Sequence, residues 1–114
     1  MTEDEAWALE ERFWLEGPTV YGAHLDSECL MAFPGIGVLQ TADIIAAIKG
    51  APRWESVNMA DRHVGRPGTD VLVLGYIAAG YRSGSEPYRC FCTSTYRLDG
   101  GAWKLVQHQQ TLTS

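Results

Sequence analysis

Residues Tyr88 to Leu112, YRCFCTSTYRLDGGAWKLVQHQQTL, constrain this chain more than any other stretch. Two runs rich in aromatic and β-branched residues flank Asp99-Gly100-Gly101, the strongest kind of short-range signal for a β-hairpin. Both runs also carry uncharged polar residues, namely Cys90, Cys92, Ser94, Gln107, His108, Gln109 and Gln110. A sheet face that looks into a polar-lined cavity has this mixture, so the hairpin points to a pocket as well as to a sheet.

The chain has 114 residues, enough for one hydrophobic core and too few for two, so residues 1–114 are expected to form a single domain. No apolar run approaches the ~20 residues of a membrane span. The N-terminal MTEDEAW is acidic where a secretory leader is basic, which gives a cytoplasmic location as the expectation. A net charge of -5 and the absence of any basic run disfavour nucleic acid and anionic membrane as partners. Cys29, Cys90 and Cys92 fit no zinc or redox spacing, and their odd count argues against a disulfide framework. Cys90 and Cys92 share one face of a strand, poorly placed to bridge, and all three read as small apolar fillers.

Thr2 and Glu5 have capping-box spacing, and Ala6, Leu9 and Phe13, with Trp7 and Trp14, recur at helical intervals, which predicts a helix over 3–16. Gly17-Pro18 ends it, and Pro18 opens a shorter helix to about Leu25 that Asp26 and Ser27 break. Glu28–Phe33 reads as a short strand closed by Pro34-Gly35-Ile36-Gly37. Thr41 is a good N-cap for a helix over Ala42–Lys49, with Ile44, Ile45 and Ile48 as its apolar stripe. Trp54–Val64 alternates as a strand, and GRPGT turns into Asp70–Arg82. That last run is nearly continuous in apolar residues and so belongs at the centre of a sheet, with Gly75 and Gly80 at bends or bulges. Three helices followed by four long antiparallel strands make an α+β domain, its sheet curled around the helices to leave a conical cavity.

This order, with LEERFW in the first helix, a strand ending in FPG, TADIIAAI in the third helix, YxAxxYR in the central strand and STYRLDGGAWKLVQHQQT at the end, resembles the nuclear transport factor 2-like superfamily, and within it the SnoaL-like and small bacterial members. The resemblance spans the whole chain. It implies a cystatin-like α+β barrel and pairing of two chains through the outer sheet face, with Phe91, Thr93, Thr95, Trp103, Leu105 and Gln107 supplying that surface. It does not imply one chemistry, because that superfamily carries isomerases, dehydratases, cyclases and scaffolds. Its ketosteroid isomerases use a tyrosine and two aspartates whose positions here hold Phe13, Ala32 and Ser94. Alanine cannot abstract a proton and phenylalanine cannot donate to an oxyanion, so that mechanism is not expected. An Asp–His dehydratase pair would have to come from His24, Asp26, Asp61, His63 and His108, which show no diagnostic spacing.

Period-2 alternation puts Tyr88, Cys90, Cys92, Ser94 and Tyr96 on one face of the penultimate strand and Arg89, Phe91, Thr93, Thr95 and Arg97 on the other. The two arginines assign the second face to solvent or a partner, leaving the first for the cavity. The last strand has two registers. A three-residue loop, Asp99-Gly100-Gly101, puts Val106 opposite Ser94 and His108 opposite Cys92, whereas a two-residue loop brings in Gln107 and sets Arg97 against Lys104, an unfavourable like-charge pair. The superfamily pattern implies the first, with Val106, His108 and Gln110 facing inward.

The expected ligand-binding set is therefore Tyr21, Trp54, Tyr76, Cys92, Ser94, Tyr96, His108 and Gln110. His108 is the single candidate for catalysis, as a general base or hydrogen-bond donor, and its bland alternative is a histidine held in a buried polar network. Tyr76 and Tyr96 can offer hydroxyls or simply pack, Trp54 is a lid or core, and Trp7, Trp14 and Trp103 are structural. No metal is expected from three histidines on separate elements, and no cofactor is implied. The leading function is a domain binding a small organic ligand of unassigned identity. A ligand-free homodimeric scaffold and a His108-dependent isomerase, dehydratase or cyclase are the alternatives.

Overall fold

The computed structural model describes residues 1–113. The first helix, α1, spans Glu3–Leu15 and opens on the expected capping box, with Thr2 and Glu5 each bonding the other's backbone N–H. Its buried face is Ala6, Trp7, Leu9, Glu10, Phe13 and Trp14, an apolar stripe with one carboxylate at its centre. Helix α2 (Pro18–His24) follows, with Pro at its first position where a missing N–H costs nothing. The chain enters strand β1 at Leu25 and keeps to Phe33. The helix ends where expected, but the strand begins at Leu25 rather than Glu28 and takes in Asp26 and Ser27: Asp26 accepts from Glu28 N–H and Arg97 Nε, so its carboxylate is paired.

A short strand the sequence did not signal, β2 (Gly37–Gln40), returns antiparallel to β1 across Pro34–Ile36. Helix α3 (Thr41–Ile48) is capped by Gln40 rather than Thr41, with Asp43 completing the box. The Thr41 hydroxyl is otherwise engaged, donating to Asp26 O and accepting from Cys29 N–H. Strands β3 (Ser56–Gly68), β4 (Val71–Tyr81), β5 (Tyr88–Asp99) and β6 (Ala102–Leu112) form the expected antiparallel meander. β3 continues through Gly65, which narrows the turn before β4.

The complete sheet has the order β2-β1-β6-β5-β4-β3, and β1 joins β6 in parallel. The sheet is therefore mixed rather than wholly antiparallel, because the chain crosses from β2 to the far edge through α3 and returns by the meander. It curves, with α1, α2 and α3 on its concave side. Asp61, in left-handed backbone at φ 50°, marks an irregularity in β3 between Ala60 and His63. At Gly80 an added Cβ would lie 2.9 Å from the Trp54 indole, so the ring packs directly on the strand backbone.

The closing hairpin departs from both registers drawn from the sequence. Asp99 pairs with Ala102 across a two-residue Gly100-Gly101 loop, both glycines at positive φ (57° and 84°) as a type I′ turn requires. Arg97 does stand opposite Lys104, yet the like-charge pair is disengaged. Arg97 turns to Asp26 and Lys104 donates to Ala23 O. Between Tyr96–Leu105 and Thr95–Gln107 the ladder shifts by one residue, leaving Val106 in a bulge. The bulge reverses the side-chain parity set by the turn. Leu105 is buried, Val106 is not, and His108 still faces inward, now opposite Ser94 with Gln110 opposite Cys92. Trp103 and Leu105 accordingly pack against the core instead of standing on the outer face.

Candidate functional site

On the concave side, α1, α2, α3, the segment after α3 and strands β1 and β6 enclose a cavity of about 360 Å³. Its walls are apolar, with Phe13, Met31, Phe33, Ile44, Ile48 and Leu105. At the mouth Trp54 stacks on Tyr88, ring centroids 5.4 Å apart and planes 14° from parallel. Arg53 and Arg82 line the same region. Arg53 donates from Nη2 to Phe13 O and Trp14 O and from Nε to Glu16 O, so its charge closes the C-terminal end of α1, where carbonyls lack helical partners.

The polar floor is built from one carboxylate outward. Glu10 is 1% exposed, yet its two oxygens accept from three hydroxyls: Tyr96 at 2.5 Å, Tyr76 at 2.5 Å and Ser94 at 2.6 Å. Burial pushes its pKa up, but the His108 imidazole 3.5 Å away and the hydroxyl bonds from Ser94 and Tyr76 outweigh that and hold it below the ordinary glutamate value. The carboxylate is thus ionised in the core. Burial and the Glu10 charge drive both tyrosines well above the usual phenol range, so they remain neutral donors.

Ser94 has a single hydroxyl proton, spent on Glu10, so at 2.7 Å from His108 Nδ1 it can only accept. That places the imidazole proton on Nδ1 and leaves Nε2 as an acceptor, 3.0 Å from Gln110 Nε2. Gln110 Oε1 in turn accepts from Tyr88 at 2.8 Å. One donor sense therefore runs from Tyr88 at the mouth through Gln110, His108 and Ser94 to Glu10. An imidazole whose Nε2 lies on the cavity wall can exchange a hydrogen bond with an occupant, with the Glu10 carboxylate 3.5 Å behind its Nδ1.

Of the residues expected from the sequence, Tyr21, Trp54, His108 and Gln110 line the cavity. Tyr76, Ser94 and Tyr96 lie behind the wall, gathered on Glu10. Cys92 is buried 3.4 Å from Cys90 and does not line the cavity. Cys29 is buried too, its thiol pushed up to about 12 by burial. Asp61 and His63 pair with each other at 3.1 Å on the exposed part of β3, and Asp26 holds Arg97. Among the carboxylates of the described residues only Glu10 reaches His108, at 3.5 Å. The sequence pattern pointed to Tyr88 on the cavity face without including it in the binding set; Glu10, Arg53 and Arg82 were missed, and Trp14 was assigned to structure alone. Trp14 lines the cavity and donates to the Tyr76 hydroxyl at 2.9 Å. The available signal for Glu10 was position: it falls within the stripe of Ala6, Phe13 and Trp14, where a solvated glutamate does not belong.

No family model matches the chain, and no curated protein matches it in sequence. Solved structures match over its full length. A Prochlorococcus protein of unknown function, described as nuclear transport factor 2-like, shares 14% identity over 100% of this chain and 95% of its own, with a TM-score of 0.80. This chain has the nuclear transport factor 2-like fold. The CaMKII hub homology domain of Chlamydomonas reinhardtii shares 17% identity over 100% of both chains, at a TM-score of 0.79. The association domain of Caenorhabditis elegans CaMKII shares 14%, over 95% of this chain and 90% of its own, at 0.76. At such identities the likeness establishes the fold, and the nuclear transport factor 2-like frame is what holds Glu10, Ser94 and His108 together.

Proposed function

We propose that this nuclear transport factor 2-like domain binds a compact, largely apolar organic molecule in the cavity between its helices and its sheet. The supporting observation is the combination of an apolar pocket of about 360 Å³ with a hydrogen-bonded floor that presents His108 and Gln110. Binding sites for small molecules have this composition, apolar walls with a few convergent polar groups. Tyr21 and Trp54 contribute wall and mouth, while Tyr76, Ser94 and Tyr96 fix the floor from behind. Cys92 takes no part.

A thermal-shift panel of small ketones, acids, amides and aromatics tests the reading. At least one compound should stabilise the chain, since a ligand at a hundred times its Kd adds about 2.7 kcal/mol to the folded state. The stabilisation should shrink in a His108→Gln variant. A panel without any stabiliser sinks the proposal.

A second reading is favoured by a separate observation. Phe91 is 53% exposed and Val38 70% exposed on the convex face of the sheet, where Thr93 and Thr95 continue the strand of Phe91 and Gln107 stands on the neighbouring β6. We infer that two chains pair through this face; similar structures described as hub or association domains support self-association in general.

A further inference from the structure

The structure assigns the cavity a carboxylate ligand, recognised by Arg82. This rests on the binding proposal above and names the chemistry of the occupant. Arg82 directly follows β4, its guanidinium carbon 3.8 Å from the centre of the Trp54 ring and its Nη2 donating to Pro52 O at 2.9 Å. Its Nε is buried with no acceptor, and among the described residues it is the one buried side-chain nitrogen or oxygen without a partner. A buried donor left unpaired is costly, more so on a charged group, and Arg82 lines the cavity.

The charges around the cavity decide the sign of the ligand. Glu10 is occupied by three hydroxyls and faces His108, so it offers the arginines nothing. Arg53 and Arg82 enter no ion pair among the described residues. Arg82 is bonded to the carbonyl of Pro52, the residue before Arg53, and both arginines line the cavity. Arg53 spends its N–H groups on the end of α1 and supplies charge. Arg82 keeps most of its fork free, and a planar guanidinium fork matches the two oxygens of a carboxylate. The remaining wall is aromatic and branched aliphatic, which suits a monocarboxylate with an apolar body better than a multiply charged phosphate.

Phenylacetate and phenylacetamide have nearly the same shape and differ in charge, so calorimetric titration of both at neutral pH tests the assignment. Wild type should bind the acid at least about tenfold tighter than the amide, a difference of about 1.4 kcal/mol. Arg82→Met should bring the acid down to the level of the amide and leave the amide unchanged, and Arg82→Lys should fall between. Equal affinity of wild type for acid and amide overturns the assignment while the cavity reading stands. A preference for the acid that survives in Arg82→Met also overturns it. If neither compound binds, the carboxylate assignment falls, and the thermal-shift panel decides the cavity reading by itself. Should Arg82→Met not fold by circular dichroism, the acid-to-amide ratio in wild type and Arg82→Lys decides.

Discussion

Glu10 on the first helix and His108 on the last strand are joined through a single hydroxyl, that of Ser94, which lies 2.6 Å from one and 2.7 Å from the other. The bridge ties the two ends of the chain into one buried polar network. It also fixes the imidazole tautomer, because a carboxylate that must accept leaves Ser94 no proton to give His108.

Removing that hydroxyl should be felt in stability first. Ser94→Ala leaves His108 Nδ1–H unpaired and Glu10 one donor short in a site that is 0% exposed at Ser94. An unsatisfied buried group costs about 1–3 kcal/mol, and in a domain of this size each kcal/mol lowers Tm by roughly 4–8 °C. Thermal unfolding by circular dichroism checks this; an unchanged midpoint would mean the bridge contributes nothing.

Acid should find the same network. The folded-state pKa of Glu10 is lowered, so its contribution is complete above the ordinary glutamate value of about 4.3 and is lost as pH falls through the lower folded value. Asp26, lowered by its bonds to Glu28 N–H and Arg97, adds a loss of the same sign. Urea unfolding between about pH 6 and pH 3 should show falling stability, with a shallower fall in Glu10→Gln, which retains the Asp26 part. Equal slopes in the two proteins would contradict an ionised Glu10.

The turn and the bulge make separable predictions. Gly101 has φ 84°, and Gly101→Ala should cost about 1 kcal/mol through backbone strain alone. Deleting Val106 removes the bulge and so turns either Leu105 or His108 out of the interior, which should cost several times more. Comparable losses in the two variants would show that parity is not set at Val106.

On the convex face, Phe91→Lys should leave the thermal midpoint of the chain little changed at low concentration and shift its sedimentation from dimer to monomer, because a charge there opposes pairing. Identical sedimentation of variant and wild type would remove Phe91 from any interface.

Much of the fold was legible because its signals are local. The capping box at Thr2 and Glu5, Gly17-Pro18, and the Asp-Gly-Gly turn each act over a few residues. The bulge at Val106 was not, since it answers to a tertiary demand: both Leu105 and His108 must face inward, and a regular strand cannot present residues three apart on one face. The parallel seam between β1 and β6 joins distant stretches that carry no mutual mark. In the site, Ser94 was readable from strand alternation and His108 only through the superfamily pattern, by a register that the bulge replaces, whereas Glu10 was hidden by its type. Glutamate on an acidic helix looks solvated until three hydroxyls from two strands are seen to converge on it. Arg82 was hidden likewise, read only as the end of a strand.

The central claim is that the cavity receives a small molecule, and a fragment screen by ligand-observed NMR on paired samples measures this directly. Wild type is compared with Ala47→Trp, which introduces an indole at a lining position on α3 whose side chain is otherwise exposed. Fragments should bind wild type and be lost in the filled variant. An absence of hits, or the same hits in both proteins, would contradict it.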